Sequence, residues 1–148
     1  MAKYALLIGT SEYQSQHIKP LKGVIKDIEA MRRVLQDKKI SGFDDVQLLL
    51  NSDSNAVRSH IEQLFMEKSQ KDDTVLLYFS GHGYRYEDGN LFFISHNTET
   101  NSQGKPRIGT AVRAKSIHED YMSRSKAKRQ VLILDCCFSG AFAKDMNA

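Results

Sequence analysis

Four short apolar runs set the frame of this chain: Lys3–Gly9 (KYALLIG), Val46–Leu50 (VQLLL), Thr74–Phe79 (TVLLYF) and Gln130–Leu134 (QVLIL). Each is too short for a core helix, and none alternates cleanly between polar and apolar residues. Such runs suit strands buried on both faces, the kind found in parallel sheets. The segments between them read differently. From about Lys22 to Lys39, Val24, Ile28, Met31 and Leu35 recur along one helical face, and Gly42 is the expected stop. Ser52, Asp53 and Ser54 offer N-caps to a second helix, with Val57, Ile61, Leu64 and Phe65 as its apolar stripe.

The second half is less regular. Ser80–Gly89 reads as a glycine-bearing loop after the third strand, Leu91–Ile94 as a short extra strand, and Asn97–Gly109 as an exposed polar loop. Lys115–Met122 carries a weak helical stripe of Ile117, Tyr121 and Met122. The order β-α-β-α-β-hairpin-α-β predicts an α/β fold with a mainly parallel sheet covered by helices on both faces. No internal repeat or linker divides residues 1–148, so one domain is expected.

Composition narrows the function. A 41% hydrophobic and 26% charged chain is ordinary for a globular protein, and a net charge of +3 is too small to argue for nucleic acid. The densest basic stretch, Arg124–Arg129, reads as a solvated helix end or loop. No apolar run approaches the ~20 residues that span a bilayer, and the N-terminus lacks the features of a signal peptide. The default expectation is a cytoplasmic protein with no membrane partner. The only cysteines, Cys136 and Cys137, are adjacent and poorly placed to pair with each other, which suits a reducing compartment.

Parallel strands end on a common edge, and open α/β sheets bind ligands beyond it. His82 follows the third strand within SGHG, and Cys136 and Cys137 follow the fourth within DCC. Asp27 lies in the opening turns of the first helix, which starts from the same edge. An imidazole can generate a thiolate, the strongest nucleophile among ordinary side chains, and later protonate a leaving amine. Glycines beside His82 let backbone approach a substrate, and the turn after Cys137 (Phe138-Ser139-Gly140) can lead into a helix whose N–H groups hold an oxyanion. Taken singly, a histidine after a strand is most often a loop residue and a buried cysteine a small hydrophobe. The convergence of the two favours chemistry. A metal site is not expected, because adjacent cysteines ligate one zinc poorly and the other histidines show no ligand spacing.

YFSGHG (Tyr78–Gly83) and DCCFSG (Asp135–Gly140), about 55 residues apart, together resemble the large, p20-type subunit of the caspase-like cysteine proteases of clan CD, peptidase family C14. The similarity is greatest to metacaspases and the bacterial orthocaspases. YALLIGTSEY, LKGVIKDIEAM and VLLYFSGHG fall in the order that family uses, from about Lys3 to Phe142. The resemblance implies a three-layer sandwich that lacks the strands of the small subunit. It implies His82 as general base, Cys137 as nucleophile, and the backbone N–H groups of Gly83 and Cys137 as oxyanion donors. Cys136 matches a variable position. Asp27 and Asp135, with Ser80 beside them, match the primary specificity pocket, and paired carboxylates suit an Arg or Lys side chain. Phe138 stands where metacaspases usually carry histidine.

The expected activity is therefore cysteine endopeptidase cleavage after basic residues by a Cys-His dyad. The alternatives are a non-catalytic caspase-fold interaction module or a clan CD protease of other specificity. Protein or peptide substrates with Arg or Lys at the cut site are expected, without a cofactor. Calcium is left open: Glu87, Asp88 and Asp145 are candidate acids but form no recognisable loop. The resemblance also implies a p10-type small-subunit segment from the same precursor as partner. The chain is accordingly expected to be a fragment, and an activating protease is a further expected partner.

Overall fold

The computed structural model describes residues 1–137, Cys137 by its backbone alone. Phe138-Ser139-Gly140 and Asp145 lie outside the described residues. The strands are β1 Lys3–Gly9, β2 Asp45–Leu50, β3 Thr74–Arg85, β4 Leu91–Phe93, β5 Val112–Arg113 and β6 Arg129–Cys137. The helices are α1 Val24–Gln36, α2 Ser54–Glu62 and the short α3 Ala114–Ser116. α2 runs on into a wide turn, Gln63–Lys68, and α3 into Ile117–Tyr121 and Met122–Arg124.

β2, β1, β3 and β6 lie side by side, all parallel, in that order. β4 and β5 add an antiparallel annex to the far end of β3. Two hydrogen bonds show how one strand serves both: Thr10 N–H donates to the Ser80 carbonyl (3.0 Å) and Ile94 N–H to the His82 carbonyl (3.0 Å). Residues two apart in a strand direct their backbone groups to the same side. β4 therefore takes over the edge of β3 that β1 vacates, while β6 occupies the other edge.

Helices cover both faces. α1 buries Val24, Ile28 and Leu35 against Ala5, Leu7, Leu76 and Tyr78. On the opposite face Val57, Ile61, Leu64, Phe65 and Ile117 pack on Leu6, Ile8, Val75, Leu77 and Phe79. Burying each large aliphatic side chain contributes roughly 1.5–3 kcal/mol, so these layers hold the sheet. The result is the expected three-layer sandwich, with its mainly parallel sheet between helices.

Four local expectations differ from the structure. Ser80–Arg85 is not a loop: β3 continues through it, because β6 pairs with Ser80–His82 and β4 with Gly83–Arg85. β6 likewise runs through the DCC segment rather than ending before it. α1 leaves helical geometry at Asp37, not Gly42; the Asp37 carbonyl accepts the Ile40, Ser41 and Gly42 N–H groups, and Gly42, at φ +61°, completes that turn. Asp53 occupies the N-cap of α2 but makes no side-chain capping bond; Asn97 Oδ1 accepts the Ser54 N–H instead, at 2.9 Å.

Candidate active site

His82 is 1% exposed, deep for a titratable ring, and its surroundings show why that is tolerated. Burying a polar group is costly unless it is hydrogen-bonded. Nε2 lies 2.7 Å from the Lys19 carbonyl oxygen. A carbonyl only accepts, so Nε2 carries the proton, and in the neutral ring the lone pair resides on Nδ1. Pro20 follows Lys19 and biases it toward extended backbone. The His82 backbone N–H donates to the Tyr13 hydroxyl (3.1 Å), which in turn donates to the Thr10 carbonyl (2.8 Å). The Tyr13 ring stands 5.1 Å from the imidazole, centroid to centroid, tilted by 46°. The Thr10–Leu21 loop thus holds the His82 N–H, faces its ring and selects its tautomer.

Across the ladder, His82 is the register partner of Cys137. The ladder therefore brings the backbones of two residues about 55 positions apart to neighbouring strands. Cys136 is half-buried and packs against the hydrophobic layer that contains Phe79 and Leu77. Because the His82 carbonyl faces β4, strand alternation turns the Gly83 N–H to the opposite edge, the side of β6 and Cys137.

Asp27, Ser80 and Asp135 line one pocket of about 170 Å³, together with Gly81 and the start of α1. Ser80 and Asp135 are themselves register partners, two residues before His82 and Cys137. Ser80 is buried at 3% exposure, whereas both acids are exposed to solvent. The two acids also border a second opening of about 350 Å³, floored by Met31 and Tyr78. Tyr78 donates its phenolic hydrogen to Asp135 Oδ2 at 3.2 Å. Burial, then the negative charge of Asp135, pushes the phenol up to about 12. The arrangement offers two carboxylates to a cation, with a neutral hydroxyl bracing one of them.

Sequence reasoning missed three of these residues. Lys19 acts through its carbonyl, which leaves no side-chain signature beyond the following proline. Tyr13 and Tyr78 read as ordinary loop and strand aromatics. Among the calcium candidates, both Asp88 carboxylate oxygens accept hydrogen bonds from Asn90, and Asp145 falls outside the described residues. Among the described residues no group of three or more His, Cys, Asp or Glu side chains is placed to hold a metal ion. Among the described residues no helix is long and apolar enough to cross a membrane.

The model of the caspase domain, Peptidase C14, matches residues 2–147. No curated protein matches the chain. With that match running nearly end to end over a three-layer sandwich that pairs His82 with Cys137, the chain belongs to the caspase-domain family, whose members are generally cysteine peptidases.

Proposed function

We propose that the protein is a cysteine endopeptidase that cuts after Arg or Lys. The observation that carries this reading is the juxtaposition of the His82–Cys137 register pair with the Asp27–Asp135 pocket two residues away along the same strands. Nδ1 of His82 takes the Cys137 thiol proton, and the thiolate attacks the scissile carbonyl carbon. The Gly83 and Cys137 N–H groups hold the resulting oxyanion, an effect worth roughly 3–4 kcal/mol per donor in the best cases. The imidazolium returns the proton to the leaving amine as the C–N bond breaks. Water, deprotonated by the same ring, then releases the acyl group from sulfur.

The substrate's basic side chain enters the pocket of Asp27 and Asp135, where an Arg fork engages both carboxylates. Ser80 lines the wall. No cofactor takes part in this scheme. A p10-type segment of the same precursor completes the sheet along β6, whose Val131 and Leu134 are each 40% exposed. A basic side chain can be recognised only if the acids stay ionised, which suits the near-neutral cytoplasm.

A fluorogenic peptide series varying only the residue before the cut tests the reading. Cleavage after Arg and Lys, lost in Cys137→Ala and His82→Ala, is the expected result. Cleavage after Asp but not Arg refutes the pocket assignment. Full activity in Cys137→Ala refutes the mechanism and leaves the non-catalytic module as the better account.

A further inference from the structure

Asn51 has the only positive φ of any non-glycine residue among those described, +51°. Left-handed backbone is costly for most side chains, though asparagine tolerates it better than most. Asn51 follows β2 directly and its N–H donates to the Gly9 carbonyl (2.9 Å), so the chain turns back toward the end of β1. That turn aims the side chain at the loop leaving β1. Asn51 Oδ1 accepts two successive backbone N–H groups, from Ser11 (2.9 Å) and Glu12 (3.1 Å).

These two residues form the stem of the loop that holds the imidazole. Tyr13, next in sequence, receives the His82 N–H. The Ser11 carbonyl accepts the Leu21 N–H at 2.9 Å, which closes the loop two residues beyond Lys19, whose carbonyl fixes Nε2. His96 braces the middle of the loop, its carbonyl accepting the Gln14 N–H (2.9 Å) and its Nδ1 lying 2.8 Å from the Glu12 carbonyl oxygen. Asn51 takes both N–H groups of the stem, while His96 and Leu21 engage its two carbonyls.

We propose that Asn51 is a positioning residue for His82: its side-chain carbonyl fixes the stem of the loop whose Tyr13 ring and Lys19 carbonyl orient the imidazole, while the Tyr13 hydroxyl holds the His82 backbone N–H. The catalytic consequence rests on the peptidase reading above; the structural one does not. Misplacing a general base by about 1 Å can cost up to two orders of magnitude in rate, although substrate binding is untouched.

Two variants of the full chain separate positioning from folding. Asn51→Gly adopts the left-handed φ without strain but loses the acceptor. Asn51→Asp keeps the acceptor. Asn51→Gly is expected to lower kcat about tenfold or more with KM within about twofold and little change in Tm; Asn51→Asp is expected to stay near wild type. In ¹⁵N NMR of histidine-labelled protein, wild type and Asn51→Asp should show His82 as a single Nε2–H tautomer protected from exchange. Asn51→Gly should show mixed tautomers and faster exchange. A wild-type kcat and His82 signature in Asn51→Gly, or an Asn51→Asp variant as impaired as Asn51→Gly, overturns the proposal. If the wild type cleaves no basic peptide, the peptidase reading fails while the His82 spectra still decide the role of Asn51.

Discussion

Tyr78 and Asp135 meet across the β3–β6 ladder through a single 3.2 Å hydrogen bond, phenol to carboxylate, on the face of the sheet that α1 covers. The bond needs the phenol to keep its proton, since a phenolate has no hydrogen to donate. Burial and that carboxylate favour the neutral phenol, and the Ser80 hydroxyl partly opposes them.

The pH consequence has a definite sign. Tyr78 holds its proton up to about 12 in the folded chain, against an ordinary value near 10 when unfolded. Below pH 10 both states keep the proton, and the stabilisation is fully present. It is lost as pH rises from about 10 through about 12, where the unfolded chain ionises first. Urea midpoints across that window should fall more steeply in wild type than in Tyr78→Phe. Parallel curves would contradict the assignment.

Neutralising either pocket acid should weaken basic-substrate recognition without harming the fold. Each charge-assisted bond contributes roughly 1.5–3 kcal/mol, so Asp27→Asn or Asp135→Asn should cut kcat/KM on an Arg substrate by about tenfold to a hundredfold. Both acids are exposed, so melting temperature should barely move. Steady-state kinetics beside a thermal melt makes the comparison.

The two thiols should differ in reactivity. Cys136 is half-buried against the core, the environment of an inert cysteine. Iodoacetamide should label Cys136→Ser rapidly, through Cys137, and Cys137→Ser slowly. Mass spectrometry over a time course reads this directly, and equal sluggish labelling of both variants would count against an activated Cys137.

Gly9 lies directly against the buried face of α1. A β-carbon there would lie 2.9 Å from Ile28 Cγ1 and 3.0 Å from Val24 Cγ1, atoms of buried side chains that have little room to shift. Gly9→Ala should therefore destabilise the fold by about 1–3 kcal/mol, measurable by urea unfolding.

The strands and two main helices were legible because their apolar spacing is unambiguous; Val24, Ile28 and Leu35 do bury as one stripe, and TVLLYF is buried almost throughout. The SGHG stretch was not, because glycine and serine have low strand propensity, and only pairing with β4 and β6 overrides it. His82, Cys137, Asp27 and Asp135 stand out by residue type and by resemblance. The groups that seat His82 did not, since a main-chain carbonyl at Lys19 and an amide at Asn51 act from places that only the folded loop brings together.

β3 leaves one ladder and joins another without a break, and His82 sits at the changeover. Its neighbours before it are locked to β1 and β6, and its own carbonyl is already claimed by the annex through Ile94. Swinging this residue away would mean unzipping two sheets at once. The backbone that carries the imidazole is therefore fixed furniture, and any rearrangement that switches this site on or off has to come from what surrounds it.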